Sequence, residues 1–323
     1  MAFIPPAYCG MPLDRSNELR ENPAWIRRQL DSRHTRILPL WRDRNLFRRG
    51  EPAACFVEKY HAAAIVRDST ELIYLGHDRN APTESPIFAA DITHLEEHHA
   101  KWLISTLGID AEFLDLRVVG PTLATDEAAT MAYARGLTYW HRQNQYCGRC
   151  GGTTRSHRGG HMRRCVGDEC ARELFPRIDP AVIMLVEQLE PEDGIPKCLL
   201  GRSRGLPKRI YSTLAGYVDP GESLEEAVAR EVMEETGITL CQTTYLASQP
   251  WPFPACMMIG FYAQTREREI TIATHELEDA RWFSAADIRQ FGEYDDPDSD
   301  FALPRRDSIA RTLIETWLTR NAG

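Results

Sequence analysis

The chain has 323 residues, a formal net charge of −9 and 43% hydrophobic residues. That length accommodates two domains plus a small module. The acidic balance excludes a protein that coats nucleic acid through a general basic field. The opening Met-Ala-Phe-Ile-Pro-Pro lacks the basic start and apolar core of a secretion signal. The uncharged stretch from Gly237 to Thr265 is interrupted by prolines and polar residues, so no membrane span is expected and the cytoplasm is the default location.

From Phe3 to about Asn22 the chain is polar and Pro-containing, which reads as a loosely attached leader around Leu19 and Trp25. Strand-like runs follow at Arg36–Trp41, Ala62–Val66, Leu72–Leu75 and Ile87–Ile92, with Arg79-Asn80 and Pro82 as turn residues between them. His98–Leu107 reads as a helix and Phe113–Leu116 as a short strand. Residues 1–124 are therefore expected to form a small α+β domain. His94, His98 and His99 crowd a loop-to-helix junction with two glutamates and read as solvated rather than as a metal site.

Residues 125–176 read as a helical connector followed by a compact module. Asp126 can cap a helix running through Glu127, Met131, Ala132, Leu137 and Trp140, with Gly136 weakening its middle. Cys147-Gly-Arg-Cys150 and Cys165-Val-Gly-Asp-Glu-Cys170 then form two close pairs with the spacing of a tetrathiolate Zn²⁺ ribbon. Four thiolates leave no open coordination position, so this metal is expected to hold the fold and perform no chemistry. Disulfides are the alternative, and a reducing cytosol opposes them. The module is basic, with Arg149, Arg155, Arg158, Arg163, Arg164 and Arg172. The other five cysteines, Cys9, Cys55, Cys198, Cys241 and Cys256, are scattered without a pairing pattern.

Residues 177–323 read as a second domain. Ala181–Glu187 and Lys197–Arg202 are strands joined by a Glu-Asp-Gly turn, as in a hairpin. Tyr211–Ala215, Tyr245–Ser248, Met257–Gln264 and Ala280–Phe283 are further strands. A helix starts near Ala285, and a last helix spans Ser308–Leu318. Between Gly216 and Ile238, Pro220-Gly221 makes a turn, Ser223 and Glu226 form a capping box, and Gly237 stops the helix so begun. Leu224, Val228 and Val232 mark the core-facing stripe of this helix. Glu231 and Glu235 fall inside that stripe, and Glu234 lies at its edge. Carboxylates four residues apart on one face repel unless a cation lies between them. Hard oxygen ligands in this arrangement suit Mg²⁺ or Mn²⁺.

Gly216, Glu222, Arg230-Glu231, Glu234-Glu235 and Gly237-Ile238 stand at the defined spacings of the Nudix signature, so this region resembles a Nudix hydrolase. Downstream, Ser248-Gln-Pro-Trp-Pro-Phe-Pro places prolines at every second position. They favour an extended, stiff backbone that is neither helix nor central strand, carrying Trp251 and Phe253 as flat apolar faces. This array, together with a zinc ribbon directly before the Nudix region, resembles the NADH pyrophosphatases. The family's array ordinarily ends in Ser, where this chain has Cys256.

The resemblance implies an α/β fold, a Nudix α/β/α sandwich preceded by the zinc ribbon and the N-terminal α+β domain. It implies hydrolysis of the pyrophosphate of NADH or NAD⁺ to the nicotinamide mononucleotide and AMP. It also implies metal contacts from the Ala215 carbonyl, Glu231, Glu235 and Glu276, with Glu234 sharing or bridging. Arg230 is expected to orient the glutamates and Glu222 to fix the loop, with a metal role for Glu222 left open. Glu234, Glu235 and Glu276 all remain candidates for the general base. Gln249, Pro250, Trp251, Pro252, Phe253, Pro254, Ala255 and Cys256 are expected to cradle the nucleotide, Phe175 to stack on a base, and Ala310 to contribute a backbone contact. A homodimer is implied in the same way. Two other readings stay open: removal of an NAD cap from RNA 5′ ends by the same chemistry, and a non-catalytic zinc-ribbon nucleic-acid binder.

Overall fold

A computed structural model describes residues 6–321 apart from 52, 82, 84, 168, 208 and 274, so the turn expected at Pro82 lies outside the described residues. The chain forms two compact units. The N-terminal unit is Tyr8–Ile178 with Trp251–Ala255. The C-terminal unit is Asp179–Pro250 and the chain from Cys256 onward, with Pro6 and Ala7.

The N-terminal unit contains strands β1 (Leu13–Asp14), β2 (Arg36–Trp41), β3 (Arg44–Arg48), β4 (Val57–Glu58), β5 (Glu71–Asp78), β6 (Pro86–Asp91) and β7 (Ala111–Asp115). They form one sheet in the order β1-β5-β6-β2-β3-β7, with β4 also on β2. The neighbours β2 and β6 run parallel, and both are nearly continuous apolar runs, as strands covered on both faces require. Helices α1 (Pro23–Asp31), α2 (Ala63–Asp68) and α3 (Glu97–Ser105) lie between the strands in chain order, and α4 (Leu116–Val119) follows β7. Ile65 of α2 and Leu103 of α3 are fully buried in a core with Ile37, Trp41, Tyr74 and Phe88. Helix α5 (Thr125–Gln143) packs on β2, β3, β5 and β6.

Three sequence expectations change here. Ala62–Val66 is expected as a strand but forms helix α2, because Ile65 is buried from a single helical turn rather than from an alternating edge. The leader is not loose in its described part. Tyr8 is only 2% exposed, and Leu13 pairs with Asp78 of β5, so these two residues anchor the uncharged stretch from Ala7 to Leu13. Asp126 lies in the first turn of α5 rather than at its cap, and the cap residue is Ala124.

The cysteine module forms a three-stranded antiparallel sheet from β8 (Thr154–His157), β9 (Met162–Cys165) and β10 (Glu173–Leu174). Buried polar groups join it to the rest of its unit. Arg163 is paired with Glu71 and donates to Thr154 Oγ1 at 2.7 Å, while ring nitrogens of His141 and His161 meet the Gly160 and Tyr74 carbonyls, each at 2.7 Å. Burial holds the His161 imidazole down at about 4, so it is neutral in its bond to Tyr74.

The C-terminal unit is built on β11 (Asp179–Gln188), β12 (Lys197–Ser203), β13 (Leu214–Tyr217), β14 (Gln242–Trp251), β15 (Cys256–Thr265) and β16 (Leu277–Ser284). The order is β14-β15-β11-β12-β16 with β13 on β11. The β11–β15 pair is parallel and β11–β12 is the expected antiparallel hairpin. This repeats the order β5-β6-β2-β3-β7 of the N-terminal sheet, with β13 standing where β4 stands. Alternation along β11 separates two cores. Ile183 and Leu185 face helices α7 (Ala285–Ile288) and α8 (Ile309–Arg320), whereas Val182, Met184 and Val186 face helix α6 (Leu224–Thr236). The result is the α/β/α sandwich the sequence implies. The Pro array is extended only through Trp251, at the end of the sheet-edge strand β14, and then turns.

Candidate active site

Helix α6 is fixed at both ends by the residues read as its signals. Ser223 Oγ accepts from the Glu226 N–H at 3.2 Å, and Glu226 Oε2 accepts from the Ser223 N–H at 2.7 Å. Gly237 closes the helix in the left-handed region (φ 69°), its N–H donating to the Met233 carbonyl. Ala227, Val228 and Val232 are then fully buried against the sheet. The same packing takes Glu231 and Glu235 down to 9% and 7% exposure. Gly216 on β13 makes room for Glu231: a Cβ there would lie 1.8 Å from the Glu231 carboxyl carbon. That contact is the physical reason for glycine in the motif.

Arg230 gathers the acidic groups around it. Its Nε and Nη2 donate to the two oxygens of Glu222 at 2.5 and 3.0 Å, and its Nη1 donates to Glu231 Oε1 at 2.8 Å and to Glu234 Oε2 at 2.9 Å. Its Nη2 also reaches the Tyr217 carbonyl at 2.8 Å, tying the helix to β13. The Arg230 pair, helped by the Asp219 N–H, holds the Glu222 carboxyl down at about 2.

Glu276 arrives from a segment stitched to the end of α6. The Ala273 N–H donates to the Glu235 carbonyl at 3.0 Å, and the Glu276 N–H donates to the Ala273 carbonyl at 3.0 Å. Carboxylate oxygens of Glu231, Glu235 and Glu276 thereby lie within 4.8 Å of one another. Glu235 Oε2 is buried without a hydrogen-bond partner. Burial, and then the charges of Glu231 and Glu276, push the Glu235 carboxyl up to about 8. Three carboxylates crowded around an unsatisfied buried oxygen are a poor arrangement on their own and a good one around a hard divalent cation. The donor set fits Mg²⁺ or Mn²⁺. Glu234 is exposed and bound to Arg230, outside that trio. Ala215 lies on β13 opposite Ile183, next to Gly216.

The four cysteines also converge. Cys147 Sγ is 3.7 Å from Cys170 Sγ, Cys150 Sγ is 3.4 Å from Cys165 Sγ, and all four sulfurs lie within 4.8 Å. Sulfurs at the corners of a tetrahedron about Zn²⁺ would be about 3.8 Å apart, so the set fits that metal. Backbone N–H groups of Arg149 and Cys150 lower the Cys147 thiol to about 6, favouring a thiolate. A Cβ on Gly152 would come within 3.3 Å of Cys165 Sγ, so the loop lies tightly on the cluster.

The nucleotide array behaves differently from position to position. Gln249 is fully buried and its amide is engaged inside the C-terminal unit. Nε2 donates to the Asp307 and Ala7 carbonyls at 2.7 and 3.0 Å, and Oε1 accepts from the Ile309 N–H at 2.7 Å. It therefore fixes the start of α8, where Ala310 is also buried. In the N-terminal unit, Trp251 and Phe253 pack edge to face at 5.0 Å, and each meets the Tyr8 ring edge on. The Arg135 guanidinium of α5 lies 4.9 Å from the Phe253 ring centre and donates to the Pro252 carbonyl. Neither Tyr8 nor Arg135 is signalled by local sequence, since each is recruited by tertiary packing. Pro250, Ala255 and Cys256 are half-buried, Pro252 is buried, and Pro254 is exposed. The Cys256 thiol lies 3.4 Å from the Tyr217 hydroxyl. Phe175, after β10, is 54% exposed, an open ring in the N-terminal unit.

The NUDIX domain family model matches residues 178–302, and that of the NADH pyrophosphatase-like rudimentary NUDIX domain matches residues 34–140. The NAD-capped RNA hydrolase NUDT12 of Macaca fascicularis is 32% identical over 342 residues, covering 96% of this chain and 72% of that protein. Its human counterpart of the same name is 38% identical over 205 residues, 62% of this chain and 43% of the relative. The NAD-capped RNA hydrolase NudC of Stutzerimonas stutzeri (strain A1501) is 40% identical over 193 residues, 60% of this chain and 63% of the relative. The matches to the human and Stutzerimonas proteins thus span less than two thirds of those relatives. Among the described residues, no helix is long and apolar enough to cross a membrane.

Proposed function

The chain belongs to the Nudix hydrolases of the NADH pyrophosphatase type, and on that premise we propose that it hydrolyses the pyrophosphate of NAD(H), giving the nicotinamide mononucleotide, reduced or oxidised, and AMP. The observation that carries this reading is the trio Glu231, Glu235 and Glu276 around a buried carboxylate oxygen with no other partner. These three, with the Ala215 carbonyl, are assigned to a Mg²⁺ or Mn²⁺ site. A divalent ion there supplies charge neutralisation at the phosphate oxygens and acidification of water.

The chain's own groups do the rest. Arg230 keeps Glu231 and Glu234 oriented and is itself held by Glu222. Water adds to one phosphorus, the bridging P–O bond breaks, and the departing phosphate keeps that oxygen. The proton leaving the water needs a carboxylate with a free oxygen. Glu276 is exposed, Glu234 has one oxygen committed to Arg230, and Glu235 Oε2 is the oxygen already assigned to the metal. Trp251, Phe253 and Phe175 are assigned to ring contacts with the nucleotide, with Cys256 as a weak polar partner. Pro250, Pro252, Pro254 and Ala255 set the backbone of that array, and Gln249 and Ala310 support it through the start of α8. The four thiolates of Cys147, Cys150, Cys165 and Cys170 are assigned to structural Zn²⁺. A homodimer and a cytoplasmic location belong to the same reading.

Removal of the NAD cap from RNA is the second reading, favoured by what the relatives are named for. The test is product analysis after incubating the protein and Mg²⁺ with NADH, NAD⁺, ADP-ribose and NAD-capped RNA. Mononucleotide and AMP from NADH support the first reading. Cap release that falls steeply with added salt, while free dinucleotide is left intact, would replace it with the second. No cleavage of any of the four would defeat both.

A further inference from the structure

The N-terminal unit holds a cavity of about 390 Å³ between the turn Leu19–Glu21, helix α1 and the outer face of the cysteine module. Nothing in the proposed reaction uses it. Pro23, Ile26, Leu72 and Met162 give it an apolar lining, and Arg20, Arg158 and Arg164 line it as well, beside Glu21 and Glu173. The volume is that of a pocket for a small ligand.

Two features indicate what that ligand would be. Arg158 is held in the left-handed region (φ 52°), a conformation costly for a residue with a Cβ. The turn behind it is fixed by contact, since a Cβ on Gly160 would lie 2.7 Å from Ile73 and one on Gly159 2.9 Å from Ile26. Arg164 stands directly across the β8–β9 pair from Arg155, a like-charge neighbour that costs stability in a bare sheet. The carboxylates present are Glu21, 3.4 Å from Arg158, and Glu173, paired with Arg164. Both pairs are solvent-exposed and weak enough for a phosphate to displace.

We propose that this cavity is a second, non-catalytic nucleotide site, taking a planar base on its apolar residues and a phosphate on Arg158 and Arg164. A free mononucleotide and a nucleotide within a single-stranded RNA share that chemistry. The inference stands apart from the assignment of the catalytic glutamates.

The test uses the full chain without added divalent metal, titrated calorimetrically with AMP and, separately, with a short uncapped single-stranded RNA. In Arg158→Ala/Arg164→Ala, affinity for at least one probe should fall about tenfold or more, with one binding event lost. NADH turnover should stay within about twofold of the unchanged protein. Glu21→Gln/Glu173→Gln should tighten the same probe, an opposite sign that general loss of structure would not produce. Loss for AMP identifies a mononucleotide site, and loss for RNA alone identifies an RNA chain. Unchanged affinity and stoichiometry for both probes in both variants would overturn the proposal.

Discussion

The two sheets of this protein share a strand order, yet the connections after β4 and β13 have diverged. After β4 the chain makes α2, six residues from Ala63 to Asp68, with no side-chain cap and Ile65 as its buried residue. After β13 it makes α6, thirteen residues with a capping box, and buries Glu231 and Glu235 alongside Val228 and Val232. The sheet scaffold is therefore not what creates the site. A glycine on the strand, a helix long enough to present two glutamates on one face, and an arginine to hold them are needed as well. The N-terminal unit gathers its candidate metal ligands differently, in four cysteines that close on one another and would leave no open position for a substrate.

The largest expected effect lies in the N-terminal unit. Cys165→Ser should release the zinc and unfold the module, since binding of structural zinc is worth about 10–16 kcal/mol in isolated fingers. Elemental analysis and circular dichroism check this, and a zinc-free wild-type protein with its thiols in disulfides would break that half of the comparison. Next comes the C-terminal helix. Gly216→Ala forces Glu231 aside and should lower turnover by about a hundredfold or more, whereas Asp68→Asn at the end of α2 should leave it within about twofold. Comparable losses in both variants would mean that the two connections do not differ in function.

Trp251→Ala should cost about five- to a hundredfold in kcat/KM for NADH, with base stacking worth about 1–3 kcal/mol. Its packing on Tyr8 and Phe253 adds the risk that stability falls instead. Equal losses for NADH and diadenosine diphosphate, tracking a lower Tm, would assign the ring to packing alone.

The smallest effect is on pH dependence. The folded Glu235 carboxyl titrates near 8, above its ordinary value of 4.5, so between those values the native state binds more protons than the unfolded state. Stability of the metal-free protein should fall as pH rises through that window. Glu235→Gln should flatten the fall by a few degrees in Tm, and no difference in slope between the two proteins would remove the burial argument.

Much of the C-terminal unit is legible in sequence because its signals are local. Ser223, Glu226 and Gly237 fix α6, and the 3.6-residue period exposes two glutamates out of place in an apolar stripe. The hairpin at Glu192-Asp193-Gly194 and the final helix are read from the same kind of punctuation. The N-terminal unit is less legible. Tyr8 and Leu13 lie in an uncharged stretch broken by Pro5, Pro6, Gly10 and Pro12, which displays no strand or helix period, and only the folded unit gives them partners. Helix α2 is too short to display a period, so Ile65 and Val66 read as strand. Gln249 and Arg135 act through partners more than 50 residues away in sequence, Ile309 and Pro252, a relation no local pattern reveals.

Binding of Mn²⁺ followed by electron paramagnetic resonance, in the unchanged protein and in Glu235→Gln, with NADH turnover measured on the same samples, addresses the carboxylate trio most directly. The trio should bind Mn²⁺ in the unchanged protein. The variant should lose that site together with at least about a hundredfold in turnover, while its Tm holds or rises because a buried, unpaired carboxylate has been removed. A Glu235→Gln protein that binds Mn²⁺ as before and keeps more than half its activity would contradict the assignment of Glu231, Glu235 and Glu276 as the metal-holding centre.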